Sequence, residues 1–353
     1  MIRALIRPAL AALAAISAVL APGLASAASD QPKPLFAASD VIHLTIKGPL
    51  PKIGENAGNT PTVDTLTVAG AAPEILPITL AARGITRRKT DTCQFPPLRV
   101  EFTEKPGAGS LFAGQKKLKL VTHCRADPHF QQYVLLEYAA YRMYNVLTPL
   151  SIRVRLAQVD YVGADGKLLI SRTGFFEEDP EDVAKRNGLY DYKTESKVSI
   201  GALRPGDAAR DAAFQYLISN LDWAMTAGPP GANCCHNTKL LGVKDASSDL
   251  IVLPYDFDFS GLVSAPYASP PEDVPVPDVR TRRYRGYCAV NAEAPGAVKE
   301  IIAKRTALMA VLDEVPGLDD ASHRRAQAYL GGFFEQIVTP SDVATKMLKT
   351  CLG

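Results

Sequence analysis

Alternation dominates the first half of the chain. Val41-Ile42-His43-Leu44-Thr45-Ile46 puts apolar residues on every second position, the period of a half-buried strand. Shorter runs of the same kind fall at 65–68, 75–81, 98–102, 116–121, 151–161 and 168–176, with Pro- and Gly-dense turns between most of them. One segment breaks the pattern. FQQYVLLEYAAYRMYNVL, from Phe130 to Leu147, is long and apolar enough for a buried helix. Lys52 to Pro61, rich in Gly, Asn and Pro, reads as a loop.

After Pro180 the period changes. Helices are expected over 181–186, 207–221, 295–312 and 322–338. A β-hairpin is expected over Thr238–Val252, and 266–277 is a proline-rich loop. The pattern therefore predicts a signal segment at 1–27, a sheet-rich part at 28–178 and a mainly helical part at 179–353. The 353 residues are ample for a large core.

The start of the chain stands apart. Arg3 and Arg7 precede the alanine-rich run Ala9–Leu20 and the small-residue triplet Ala25-Ser26-Ala27, the pattern of a secretory signal peptide. Removing it takes away two of the 39 basic side chains and brings the formal charge from +2 to neutrality. No polybasic run argues for nucleic acid, and no later apolar run is long enough to span a bilayer. A periplasmic or secreted protein follows. The six cysteines are even in number, as disulfides in an exported chain require. Cys93–Cys124 would join two neighbouring strands, and one of Cys234 or Cys235 is expected to pair with Cys288.

Candidate chemistry concentrates in LIVLPYDFDFSG, Leu250 to Gly261. Asp256 and Asp258 sit where a short buried strand ends. A buried carboxylate needs a partner or a cation there, and two of them favour a metal site over a capped turn. Glu137, inside the apolar helix, either lies on the one exposed edge or needs a basic partner, for which a lysine of the preceding strand is the nearest in sequence. The loop Arg83-Gly84-Ile85-Thr86-Arg87-Arg88 could cover phosphates with backbone N–H groups and guanidinium forks. A solvated hairpin tip is the plain alternative. Asp222, Asn237 and Asp256 then follow one another in the order in which protein-kinase-type phosphotransferases place a base aspartate, a metal-binding asparagine and a metal-binding aspartate.

Over roughly Ile78 to Gly261 these elements resemble the CotH-type atypical kinases, named after the spore-coat proteins, and more distantly the HipA-type kinases. RGITRR, KLKLVTHC, LLEYAAYRMYN, GFFEED, NLDW, CHN and PYDFD carry the resemblance. A Gly-Pro-Pro-Gly loop lengthens the gap from Asp222 to Asn237 relative to that family. The resemblance implies an α+β, two-lobed protein-kinase-like fold, with an antiparallel-sheet N-lobe holding one long helix and a mainly helical C-lobe. It implies Asp222 as the catalytic aspartate, with Asn237 and Asp256 on Mg²⁺ or Mn²⁺ and Asp258 close by as a second ligand. Lys119 would contact the phosphates of ATP or another nucleoside triphosphate and pair with Glu137, while Arg83, Gly84 and Arg87 cover the nucleotide. The acceptor would be a protein, a glycan or a small molecule. Two other readings stand beside it: a nucleotide-sugar transferase, and a non-catalytic, disulfide-stabilised binding or structural protein.

Overall fold

The computed structural model describes Met1, residues 31–51, 53, 60–229 and 231–353. The expected signal peptide and most of the expected 52–61 loop lie outside these residues.

Seven strands form one closed barrel in the order β1-β2-β3-β4-β5-β7-β6. They are β1 (Ile42–Gly48), β2 (Thr62–Val68), β3 (Glu74–Ala82), β4 (Leu98–Phe102), β5 (Lys117–Val121), β6 (Val154–Gly163) and β7 (Leu168–Glu177). Six of the neighbouring pairs are antiparallel. An odd number of strands cannot alternate all the way round a ring. The closing pair must be parallel, and it is: β1 runs beside β6 from Ile42↔Ala157 to Gly48↔Gly163. Closure leaves no strand edge open to a second chain. Inward-facing Leu44, Ile46, Leu66, Ile78, Leu98, Val100, Leu120 and Phe176 fill the interior as one cluster. Side chains fill a barrel of this size completely.

This architecture corrects the two-lobed kinase-like fold expected from the motifs. The sheet is a closed mixed barrel rather than an antiparallel N-lobe sheet, and a second sheet stands beside it. Strand alternation was legible, but the parallel β1–β6 contact joins residues more than a hundred positions apart, which local periodicity does not encode.

Helix α1 (His129–Leu147) lies outside the barrel against β6 and β7. Its apolar residues belong to the second hydrophobic cluster, shared with the helices that follow. Those are α2 (Pro180–Arg186), α3 (Pro205–Ile218), α4 (Ala294–Ala303), α5 (Arg305–Asp313) and α6 (Asp320–Gln336). The helix expected over 295–312 is thus broken at Lys304, whose ammonium donates to the carbonyls of Val146 and Leu147 at the end of α1. Those carbonyls have no intrahelical donor, so a lysine from a neighbour is a natural cap.

The second sheet is β8 (Tyr190–Tyr192), β9 (Thr238–Gly242) and β10 (Ile251–Pro254), in the order β10-β9-β8. The hairpin of β9 and β10 was expected. The three-residue β8 is too short to show a period.

Three disulfides are present. Such bridges form and persist in oxidising compartments, which fits an exported protein. Among the described residues no helix is long and apolar enough to cross a membrane. Cys93–Cys124 joins as expected. The expected bridge to Cys288 does not form: Cys234 pairs with Cys235, and Cys288 with Cys351. The backbone explains the second pairing, because the Cys288 N–H donates to Leu352 O and draws the C-terminus alongside.

Candidate functional site

The site is assembled from four places in the chain. Glu137 projects from α1, and Tyr141, one turn further on the same face, accepts a hydrogen bond from the Asp256 N–H at 2.8 Å. Phe257 packs edge-on against Tyr141 and Phe214 in the core. Burial of Phe257 fixes where its two flanking aspartates begin. Asp256 has a positive φ of 64° just past the end of β10, which turns the chain sharply there.

Arg87 lies at the centre. Its guanidinium reaches Asp256 Oδ1 at 2.7 Å, Asp258 Oδ2 at 3.1 Å and Glu137 Oε2 at 3.2 Å. It was expected to lie over phosphates. It is instead buried among carboxylates, because the 3-10 turn Thr86–Arg88 carries it inward while Gly84 and Ile85 stay exposed. Lys119 also departs from expectation. Its ammonium meets Glu177 at 2.6 Å and Asp256 at 3.3 Å, while Glu137 is taken by Arg87. The register decides this, since Lys119 and Glu177 are direct partners across β5 and β7. Lys117, two residues back on the same strand, is exposed. Sequence reasoning passed over Glu177; its signal was a carboxylate ending the apolar run of GFFEED.

Electrostatics follow from burial and pairing. Burial raises the Glu137 carboxyl, and Arg87 offsets this only in part. Burial likewise raises Asp258 against the pull of Arg87. Asp256 goes the other way: burial pushes it up, but Lys119, Arg87 and Arg83 together hold it well below the usual carboxylate range. Lys119 is raised because Asp256 and Glu177 outweigh its desolvation.

Four carboxylates, Glu137, Glu177, Asp256 and Asp258, face two cations, Arg87 and Lys119. The carboxylates outnumber these two cations, and burial raises Glu137 and Asp258 accordingly. Oxygens of Glu137, Asp256 and Asp258 lie within 4.8 Å of one another, and Glu137 Oε1 is buried without a hydrogen-bond partner. An all-oxygen, acidic donor set of this kind fits a hard divalent cation such as Mg²⁺ or Mn²⁺.

Asp222 forms a second group. It follows α3, which ends at Ser219 in the left-handed conformation. His236 Nε2 lies 2.7 Å from Asp222 Oδ1. The Asn237 amide nitrogen donates to Asp222 Oδ2 at 3.0 Å and to its backbone carbonyl at 2.7 Å. The hydrogen bond to Asp222 raises the His236 imidazole. Asn237, expected to hold metal, commits its nitrogen to orienting Asp222. The two groups meet through the hairpin, where the Tyr255 N–H donates to Asn237 O.

A cavity of about 500 Å³ opens beside Lys119 and Glu177. Arg83, Gly84, Arg88, Arg99, Lys117, Lys239 and Tyr255 are among the residues that line it. No protein-family model matches the chain, and no curated protein does. The resemblance to CotH-type kinases therefore rests on the short motifs alone.

Proposed function

We propose that this protein is an exported phosphotransferase, moving a terminal phosphoryl group from a phosphate-chain donor to an acceptor hydroxyl with a divalent metal. The single observation that carries the reading is a cation-lined cavity whose wall residue Lys119 reaches into a buried cluster of three carboxylates. Phosphoryl transfer asks for little else: cations on the donor oxygens, a metal beside them and a carboxylate at the acceptor.

In this reading Asp256, Asp258 and Glu137 hold Mg²⁺ or Mn²⁺, which when bound adds positive charge at the donor phosphates. Lys119 and Arg83 face the phosphates from the cavity wall. Asp222 orients the acceptor hydroxyl and accepts its proton, held for that task by His236 and Asn237. The nucleoside triphosphate implied by the family resemblance is one donor of this type. The acceptor remains a protein, glycan or small molecule.

Arg87 favours a second reading. A guanidinium already touching three carboxylates supplies part of the charge that a metal would bring. A non-catalytic binding protein would need no more than this.

The test is a panel of phosphate-chain donors with Mg²⁺ or Mn²⁺, read by thermal shift and by release or transfer of phosphate. Metal-dependent binding with turnover supports the phosphotransferase. Donor binding that is indifferent to metal, without turnover, supports the binding protein.

A further inference from the structure

Resting on the phosphotransferase reading, we propose that the donor is an inorganic condensed phosphate rather than a nucleoside triphosphate. Cations from several elements surround the 500 Å³ cavity.

Six cations line it: Arg83, Arg88, Arg99, Lys117, Lys119 and Lys239. They come from separate elements. Arg99 is the direct cross-strand partner of Lys119. Lys117, two positions from Lys119, points to the same face of β5. Like charges placed opposite one another across a sheet are destabilising on their own. Arg99 is about half exposed, and its 3.9 Å contact to Glu101, the cross-strand partner of Lys117, is weak compensation. The three carboxylates in the lining are already engaged. Glu177 pairs with Lys119 and so offsets one of the six cations, Glu178 is on Arg186 from outside the cavity, and Asp179 caps α2 through the Glu181 N–H.

Among the apolar side chains of the lining, Pro180 and Tyr255 are the ones left partly exposed to a base. Leu118, Ala82 and Ile152 line the cavity but are 3%, 6% and 3% exposed, so burying them further gains almost nothing. Tyr255 is the aromatic ring in the lining, and the ammoniums of Lys119 and Lys239 already lie 5.8 and 5.7 Å from its centroid. A nucleoside triphosphate carries its charge at one end and an apolar base at the other. A condensed phosphate carries charge along its whole length, which is what cations on several elements match.

The reaction balances without further reactants. The acceptor oxygen forms a bond to the terminal phosphorus, and the bond from that phosphorus to the bridging oxygen breaks. The electron pair leaves on the shortened phosphate chain, and the hydroxyl proton passes to Asp222.

The experiment compares tripolyphosphate with ATP at equal ionic strength and Mg²⁺, by calorimetric titration of the purified protein, with sulfate as a control anion. Tripolyphosphate is expected to bind at least about tenfold more tightly than ATP. Arg99→Ala with Lys117→Ala should cost tripolyphosphate about tenfold and ATP less; both side chains are exposed, so folding is not at risk. ATP binding as tightly as tripolyphosphate, or more so, overturns this inference and leaves phosphoryl transfer standing. Sulfate competing as well as tripolyphosphate overturns it too, as mere anion attraction. If neither tripolyphosphate nor ATP binds, both the inference and the phosphotransferase reading fail.

Discussion

Lys119 and Glu177 face each other across β5 and β7 with nitrogen and oxygen 2.6 Å apart, both almost fully buried. This pair joins the barrel wall to the carboxylate network, because Lys119 also reaches Asp256. Removing one partner strands the other as an uncompensated buried charge. Glu177→Ala should therefore lower unfolding free energy by about 3 kcal/mol in urea titration. Lys117→Ala, at an exposed position, should stay within about 0.5 kcal/mol of the parent. Equal effects would mean that the Lys119–Glu177 pair does not order the site.

The two aspartates with different proposed roles separate in assay. Asp256→Ala removes a carboxylate shared by Arg87 and Lys119, so both the metal-dependent thermal shift with donor and phosphate transfer should vanish. Asp222→Asn keeps the shape and its contact to Asn237, so the shift should remain while kcat falls by about 10² or more with little change in donor KM. Parent-like turnover in both variants would remove the phosphotransfer site.

Asp211 gives a pH dependence away from that site. It lies on α3, fully buried, with the Gln215 side chain one turn along the helix as its polar neighbour. Burial pushes its carboxyl from the ordinary 3.8 up to about 8. Between these values the folded protein holds a proton that the unfolded chain has lost. The associated stability is complete below pH 4 and is lost as pH rises to about 8. Asp211→Asn mimics the protonated form. It should melt several degrees above the parent at pH 8, and the gap should close as pH falls towards 4. A gap that stays constant with pH would show that Asp211 does not titrate in this range.

The Cys93–Cys124 bridge spans 31 positions and ties the turn that follows Arg87 to the end of β5. Loop-closure entropy for that span corresponds to about 4 kcal/mol. Cys93→Ala with Cys124→Ala should lose much of this in denaturant titration. It should also loosen the Arg87 contacts, read as faster amide exchange over 83–93. Unchanged exchange there would mean that the carboxylates alone hold the Arg87 turn.

Much of this protein was determined by the sequence itself. Alternation located the barrel strands because one face of each is buried, and the apolar run from Phe130 to Leu147 marked α1. Asp256 and Asp258 stood out because charge at the end of an apolar strand demands a partner. The partners themselves came only from tertiary structure. Glu137 signalled a need for a cation, but whether Lys119 or Arg87 supplies it depends on which strand lies beside β5. That strand is β7, and it brings Glu177 to Lys119. The parallel closure by β1 and β6, the Cys288–Cys351 pairing and the inward turn of Arg87 are likewise contacts between distant segments. Local pattern records which side chains must be buried or neutralised. Which distant residue does it is settled by packing, where many pairings satisfy the same local need and only one fills the space.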